Sequence, residues 1–195
     1  TNIQNNMVYI GQTIKPFKKR QNEHKHHGSK PDAEQYIHRA IYKYGWHNFK
    51  WEILGEVSED KLDETFSRLV VEAVIASDSV PGADEFIQIE ASRIPLFIAS
   101  GTPETELNTI VTRRGLDPYF TEVRGSPKLK ETLIAEILSA HDLTPERVLM
   151  IGDALIDYQS AQVNNLAFLG RVRIGDQNPF PEYVKTVPDL QSLLP

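Results

Sequence analysis

The sequence predicts two modules of different fold class: a small α+β segment over residues 1–62, followed by a parallel α/β module over residues 63–195. One observation is the charge, because residues 1–57 carry a net charge of +4 and residues 58–195 carry −10. Another is that apolar runs alternate with helical patterns from residue 94 onward, which is typical of a parallel sheet covered by helices. A charge asymmetry of this kind indicates two modules with different partners.

The composition excludes several classes of protein. The 195 residues contain no Cys, which excludes a disulfide scaffold, a thiolate zinc site and a Cys nucleophile. No apolar run approaches the roughly 18 residues of a membrane span, and no charged-then-apolar leader opens the chain. We therefore expect no membrane partner and a cytoplasmic location.

The first module is expected to follow the order strand, helix, helix, strand. An apolar run indicates the first strand, and the last strand alternates apolar and polar residues. Pro16 suits the first turn of a helix, and Gly45 suits the end of one. The expected bounds are a strand over 7–10, helices over 16–27 and 33–44, and a strand over 49–54.

Motifs in this segment carry a family resemblance. Tyr9-Ile10-Gly11-Gln12-Thr13, the spacing to Lys19-Arg20, and Tyr44-Gly45-Trp46-His47-Asn48-Phe49 resemble GIY-YIG endonucleases over residues 1–62. The resemblance implies that Tyr9 and Arg20 act at a scissile phosphate. A guanidinium is a rigid fork for phosphate oxygens, and a phenol can take part in proton transfer near an attacking water.

This first resemblance is incomplete. The family's first strand should precede Asn6, and its metal-binding Glu should fall near Phe66, whereas Glu64 lies about 200° away on a helix. A metal-dependent DNA endonuclease is therefore an alternative function and not the leading one. Weak, salt-sensitive contact of residues 1–57 with nucleic acid, or an ordinary solvated basic face, are the other readings of this charge.

The second module is expected to contain a series of buried strands and helices. Because the strand runs are continuously apolar, they indicate strands covered on both faces, as in a Rossmann-like sheet. Helices are expected over 62–75, 103–114, 127–141 and 155–163, and strands over 94–99, 147–151 and 167–170. In such a sheet the chemistry lies at the carboxyl ends of the strands.

Polar residues follow these strands in a consistent order. Ser100 and Gly101 follow the first strand, Lys130 opens a later helix, and Asp153 and Asp157 follow the strand over 147–151. A hydroxyl, loop N–H groups, a lysine and paired carboxylates suit phosphoryl transfer, because they bind an anion, neutralise charge and hold Mg²⁺. Each residue taken alone could equally be a helix cap or a surface charge.

Taken together, these motifs resemble the haloacid dehalogenase-like hydrolases. The resemblance covers residues 66–195 and is closest to phosphoglycolate-phosphatase-like members; it rests on Phe97-Ile98-Ala99-Ser100-Gly101-Thr102, Gly125-Ser126-Pro127 with Lys130, and Ile151-Gly152-Asp153-Ala154 with Asp157. It implies that Ser100 and Gly101 bind phosphate and that Lys130 is catalytic and neutralises the phosphate. It also implies that Asp153 and Asp157 bind Mg²⁺ and that the substrate is a phosphorylated small molecule.

This second resemblance also has a gap. The family attacks phosphate with the first Asp of an Asp-x-Asp pair on a central strand, and no Asp-x-Asp occurs in these residues. We therefore expect a phosphohydrolase domain without activity, formed at a junction of two incomplete segments near residues 62–66. A noncatalytic module that binds Mg²⁺ or phosphate is a further alternative. The segments 7–10 and 49–54 are expected to lie outside the sheet.

Overall fold

The computed structural model describes residues 1–30 and 35–195, and these form two compact units, residues 1–73 and 74–195. The predicted boundary near residue 62 lies at the start of helix α3 (Leu62–Ile75), which runs without interruption through the predicted junction. Each unit is described by itself below. No helix among the described residues is long and apolar enough to cross a membrane.

The first unit is built on two helices, α1 (Phe17–His27) and α2 (Tyr36–Tyr44). A Cβ atom on Gly28 would lie 2.5 Å from Cγ2 of Ile41, so the missing side chain lets the end of α1 pack closely on α2. Gly45 ends α2 at a φ of 82°, which glycine adopts without strain. The predicted start of this helix at residue 33 lies outside the described residues.

The two strands predicted for this unit are not formed. Residues 7–10 and 49–54 contain no ladder; instead, a single antiparallel bridge joins Asn2 to Phe49. Its flanking bonds run from Ile3 N to Asn48 O at 2.8 Å and from Lys50 N to Thr1 O at 2.8 Å. Apolar patterning alone does not make a strand, because the extended chain also needs a neighbour for its hydrogen bonds.

The second unit is a parallel α/β fold, which confirms the predicted fold class. All of its strand pairs are parallel, and helices connect each strand to the next except for the last two strands, between which no helix lies. Helix α4 (Ala83–Ala91) precedes the series. In order, the elements are β1 (Phe97–Pro103), α5 (Glu104–Arg113), β2 (Glu122–Ser126), α6 (Lys130–Ala140), β3 (Leu149–Gly152), α7 (Leu155–Val163), β4 (Ala167–Arg171) and β5 (Thr186–Val187).

The strands form two separate sheets. One contains β1 and β2, the other has the order β3-β4-β5, and no described residue bridges β1 to β3 by strand pairing. As expected, neither 7–10 nor 49–54 is a strand of either sheet. The two sheets are connected through helices, because α6 packs on β1, β2 and α7, while α7 packs on β3 and β4.

The buried core of this unit lies on the helices. Buried apolar side chains occur on α5, α6 and α7, and Phe180 is buried outside the helices; those on the helices are Leu107, Ile110, Val111, Leu133, Ile134, Ile137, Tyr158 and Ala161. By contrast, no side chain of 97–99 or 149–151 is fully buried, and Leu149 is 54% exposed. The strands predicted to be covered on both faces are therefore only partly covered.

Candidate functional site

The carboxyl end of β1 forms an irregular turn that holds Ser100. The register with β2 pairs Ala99 with Arg124 and Pro103 with Ser126, so residues 100–102 bulge out of the ladder. The Ser100 hydroxyl accepts a hydrogen bond from the Thr102 N–H at 3.1 Å and lies 3.1 Å from the Thr102 hydroxyl. The sequence predicted a loop here, whereas the strand extends to Pro103.

Gly101 lies at the exposed tip of this bulge. A Cβ atom on Gly101 would meet no heavy atom within 4 Å, so the packing of the described residues does not require a glycine there. The bare backbone leaves room for a ligand to approach the chain closely. This geometry is compatible with the predicted role of Gly101 in binding phosphate.

Two residues without a predicted role hold the turn in place. The Gly125 N–H donates to Glu104 Oε2 at 3.2 Å. A Cβ atom on Gly125 would lie 2.5 Å from the Thr102 carbonyl oxygen, so a larger residue would push the turn away from β2. Glu104 lies in the first turn of α5, where a carboxylate is favoured by the helix dipole.

Lys130 and Asp157 form a partly buried ion pair. The Lys130 ammonium donates to Oδ1 of Asp157, which is 5% exposed. The other carboxylate oxygen, Oδ2, accepts the N–H groups of Asp153 at 3.1 Å and Ala154 at 3.0 Å. Lys130 is the first residue of α6 and Asp157 lies in the first turn of α7, so the pair joins the carboxyl ends of β2 and β3.

Helix α6 begins later than predicted, and this places the lysine. The sequence predicted a helix from Pro127, but Leu129 is extended at a φ of −66° and a ψ of 148°, and the helix starts at Lys130. The other lysine of this segment, Lys128, is held away from such a role by an ion pair of 2.6 Å with Glu136. That pair holds the pKa of Glu136 below its usual value.

Asp153 and Asp157, the two predicted metal ligands, differ in whether other groups already engage their carboxylates. Three hydrogen bonds already engage the Asp157 carboxylate, whereas Asp153 is exposed and forms no ion pair with a described residue. No group of three or more His, Asp or Glu side chains able to hold a metal ion occurs among the described residues. One free carboxylate fits Mg²⁺ that keeps most of its waters, which is a common mode for this ion.

A second charged network lies beside β2 and was not predicted. Arg124 contacts Glu122 at 2.6 Å and Glu136 at 3.0 Å, and His141 Nε2 lies 2.7 Å from Glu122 Oε2. The hydrogen bond from His141, followed by that from Arg124, lowers the pKa of Glu122. The contact between Arg124 and Glu136 joins β2 to α6.

Tyr9 and Arg20, the residues predicted to be catalytic in the first unit, each contact a side chain of α1. The Tyr9 ring meets the His24 ring edge-on with 5.9 Å between centroids, while Arg20 lies 3.3 Å from Glu23. His24 is buried, and its Nδ1 lies 2.9 Å from Nε2 of His38. Burial, and then the nearby Arg20 and His38, lower the pKa of His24 to about 4.

The fold and this geometry define a parallel α/β protein with a lysine and carboxylates at the carboxyl edge of its strands, where proteins of this architecture place their sites. A match to the haloacid dehalogenase-like hydrolase family covers residues 6–164. The chain therefore belongs to this family. The match begins within the basic segment, so it includes most of the region that resembles GIY-YIG endonucleases. No curated protein matches the chain.

Solved structures show the same fold. A proposed HAD hydrolase from Bacillus subtilis, described as bound to magnesium, aligns at a TM-score of 0.62 with 17% identity over 92% of this chain and 83% of that one. A proposed beta-phosphoglucomutase from Thermotoga maritima aligns at a TM-score of 0.58 with 20% identity, over 89% of this chain and 87% of that one. A predicted phosphoglycolate phosphatase from Haemophilus somnus aligns at a TM-score of 0.52 with 19% identity, over 86% of this chain and 74% of that one.

Proposed function

We propose that residues 74–195 form a phosphohydrolase-type domain that binds phosphorylated small molecules with Mg²⁺ and does not hydrolyse them. The observation that carries this proposal is the Lys130–Asp157 pair, which sets an ammonium beside the exposed Asp153 at the strand ends. The similar solved structures include a predicted phosphoglycolate phosphatase and a proposed beta-phosphoglucomutase, which supports a phosphorylated ligand. The family membership supports a hydrolase ancestry.

The proposed role of each residue follows from the hydrogen-bond donors or carboxylate oxygens that its present contacts leave unused. An ammonium has three N–H donors and Lys130 uses one on Asp157, so two are available for phosphate oxygens. The exposed backbone around Gly101, together with the Ser100 hydroxyl, provides further donors at the end of β1. Asp153 would hold the Mg²⁺, and Asp157 would orient Lys130. When bound, the ion would neutralise the charge of the phosphate.

The proposed lack of hydrolysis rests on the absence of a nucleophile from these residues. The sequence contains no Asp-x-Asp and no Cys, and the hydroxyl of Ser100 is engaged with Thr102. Among the described residues, no hydrogen bond joins the Ser100 hydroxyl to a His that could act as its base. The groups that bind phosphate are therefore present, whereas a group to attack it is not.

A thermal-shift and turnover experiment tests this proposal. We expect Mg²⁺ with inorganic phosphate to raise the Tm by at least about 2 °C, because a ligand of the native state stabilises it. No Mg²⁺-dependent release of phosphate from p-nitrophenyl phosphate is expected. Asp153→Asn should remove the effect of Mg²⁺, whereas Asp142→Asn, an exposed residue on the loop before β3, should leave it unchanged.

Two results would contradict the proposal in different ways. Mg²⁺-dependent hydrolysis that is lost in Asp153→Asn would show that the domain is an active phosphatase. If no ligand combination moves the Tm of the unsubstituted protein, the proposed binding function itself is wrong.

Nuclease action by residues 1–62 is the second candidate, and one contact favours it. The Tyr9 ring lies edge-on to the buried His24, which lies one turn along α1 from Arg20, so Tyr9 and Arg20, the two residues matched to the nuclease motif, lie at the same part of α1. We would test Mg²⁺- or Mn²⁺-dependent nicking of supercoiled plasmid, with Arg20→Ala as the loss variant and Arg39→Ala as the control. Equal nicking by both variants would identify a contaminating nuclease and remove this candidate.

A further inference from the structure

The Asn164 side chain joins the end of α7 to the first turn of α6. Its Nδ2 atom donates to the Glu131 carbonyl oxygen at 3.0 Å and to the Ser160 carbonyl oxygen at 2.9 Å. A side-chain amide has two N–H donors on this nitrogen, so these two contacts use both of them. A carboxylate of the same shape has no donor, and Asp at residue 164 would therefore form neither bond.

The first turn of α6 depends on contacts from outside the helix. The residue that precedes it is Leu129, whose apolar side chain forms no hydrogen bond to the helix. Helices whose first N–H groups are capped by a polar side chain are fixed locally at that end, and α6 lacks this device at Leu129. The bond from Asn164 and the ion pair with Asp157 therefore help to fix the position of residues 130 and 131.

The contacts with α6 lie on one stripe of α7. Asp157, Ala161 and Asn164 are spaced at i, i+4 and i+7, which places them on the same side of a helix. Asp157 and Ala161 on this stripe are 5% and 0% exposed. Residues seven positions apart lie about 10 Å apart along a helix, whereas the two partners, Lys130 and Glu131, are adjacent in the chain. The Lys130 side chain therefore runs along α7 towards Asp157.

We propose that Asn164 is a positioning residue for Lys130, an inference that rests on the proposed role of Lys130 in binding phosphate. Asn164 holds the backbone at the base of the lysine side chain, and Asp157 holds the ammonium at its other end. A lysine side chain is flexible, and a group already held in its binding position loses less entropy when a ligand arrives. The two donors of Asn164 are engaged by carbonyl oxygens, so its effect on phosphate passes through Lys130.

Acetylation of Lys130 in the ligand-free full chain tests this positioning. The ion pair must open before the amine can attack acetic anhydride, and mass spectrometry gives the rate relative to the exposed Lys185. We expect Asn164→Asp to raise this relative rate at least about threefold, the effect of one net hydrogen bond. Asn165→Asp adds the same charge at the next, exposed residue, whose left-handed φ of 57° Asp also tolerates. This control should change the rate less than about twofold.

Two further variants distinguish positioning from a general loss of stability. Asn164→Ala removes both donors without adding a charge, so it should raise the relative rate even where Asn164→Asp does not fold. Asp157→Asn removes the partner of the ammonium and should raise the rate at least as much. A lowered Tm in the Asn164 variants with unchanged acetylation of Lys130 would make Asn164 merely structural and overturn the proposal. So would an unchanged rate in Asp157→Asn, since the ion pair would then not hold the lysine.

Phosphate affinity separates this inference from the proposed function. With Mg²⁺ present, calorimetry should show inorganic phosphate binding at least about threefold more weakly to Asn164→Asp than to Asn165→Asp. If the unsubstituted protein binds phosphate and these two variants bind it equally well, the binding function stands and the positioning role is wrong. If the unsubstituted protein binds no phosphate but Lys130 is acetylated faster in Asn164→Ala, the proposed function is wrong and the hold of Asn164 on Lys130 is supported.

Discussion

Gly152 and Asp157 are in contact so close that a side chain at residue 152 would displace the carboxylate. A Cβ atom on Gly152 would lie 2.4 Å from Cβ and 2.6 Å from Oδ2 of Asp157. The same Oδ2 accepts two backbone N–H groups at the end of β3, and Oδ1 accepts the Lys130 ammonium. The missing side chain at residue 152 therefore allows the carboxylate to reach both the turn and the lysine.

Substitution of Gly152 should push the Asp157 carboxylate out of its contacts with the turn after β3 and with Lys130. Gly152→Ala is expected to lower the free energy of unfolding by about 1–3 kcal/mol, because the overlap involves a Cβ atom that cannot rotate away. Urea unfolding followed by far-UV circular dichroism measures the change. Gly101→Ala is the control and should remain within about 0.5 kcal/mol, since its Cβ would meet nothing within 4 Å. Equal stability of the two variants would contradict this reading of the contact.

Removing the charge of Asp157 should be far more destabilising than removing that of Asp153. Asp157→Asn leaves the Lys130 ammonium partly buried without its carboxylate, and we expect a loss of about 2–4 kcal/mol in the free energy of unfolding. Asp153→Asn, at an exposed position, should change it by less than about 0.5 kcal/mol. If the two isosteric substitutions have the same effect, then the Lys130–Asp157 pair does not stabilise the native state.

The first unit should lose stability as the pH falls below about 6.5. The His24 pKa is about 4 in the folded state and 6.5 as its ordinary value, so the unfolded chain binds a proton first and protonation favours unfolding. Full stability is present above the ordinary pKa. Between pH 8 and pH 5 we expect a loss on the order of 2 kcal/mol from His24, because that interval includes most of the shift.

Tryptophan fluorescence measures this pH effect in the first unit alone. Both Trp residues, Trp46 and Trp51, lie in that unit, and Trp51 stacks on His24 at 5.6 Å between ring centroids. His24→Phe should flatten the pH dependence between pH 6.5 and 5, whereas His47→Gln, at an exposed position, should not. A slope that persists unchanged in His24→Phe would assign the effect to other groups.

The open edge of β3 should promote self-association. Leu149 is a largely exposed apolar residue on a strand with an unpaired edge, which is a template for pairing with another chain. Leu149→Glu should reduce aggregation at elevated concentration, as measured by light scattering. Val163→Glu changes the charge equally at an exposed apolar position at the end of a helix, and it should have a smaller effect. Equal protection by both would attribute aggregation to net charge and not to the strand edge.

Much of the second unit could be predicted because its determinants are local. Continuous apolar runs, helix-ending glycines and the alternation of the two patterns are all properties of short windows, and they placed Ser100, Lys130, Asp153 and Asp157 at strand or helix ends. The pairing of Lys130 with Asp157 was not predictable. It depends on how α6 packs against α7, which joins residues 27 positions apart.

The failures in the first unit have a different physical cause. Residues 7–10 and 49–54 have the apolar patterns of strands, but a strand also requires a partner, and the pattern does not specify one. The chain instead uses its first three residues to bond 48–50, through backbone groups that no side-chain pattern reveals.

The division of the strands into two sheets has a consequence for how the second unit folds. Residues 97–126 form a strand, a helix and a parallel strand, and residues 149–171 form another such unit, with no ladder between them. Each unit closes its contacts over a short stretch of chain, and short-range contacts form quickly. We therefore expect that either one can form by itself, and that the docking of α6 against α7, which brings Lys130 to Asp157, follows.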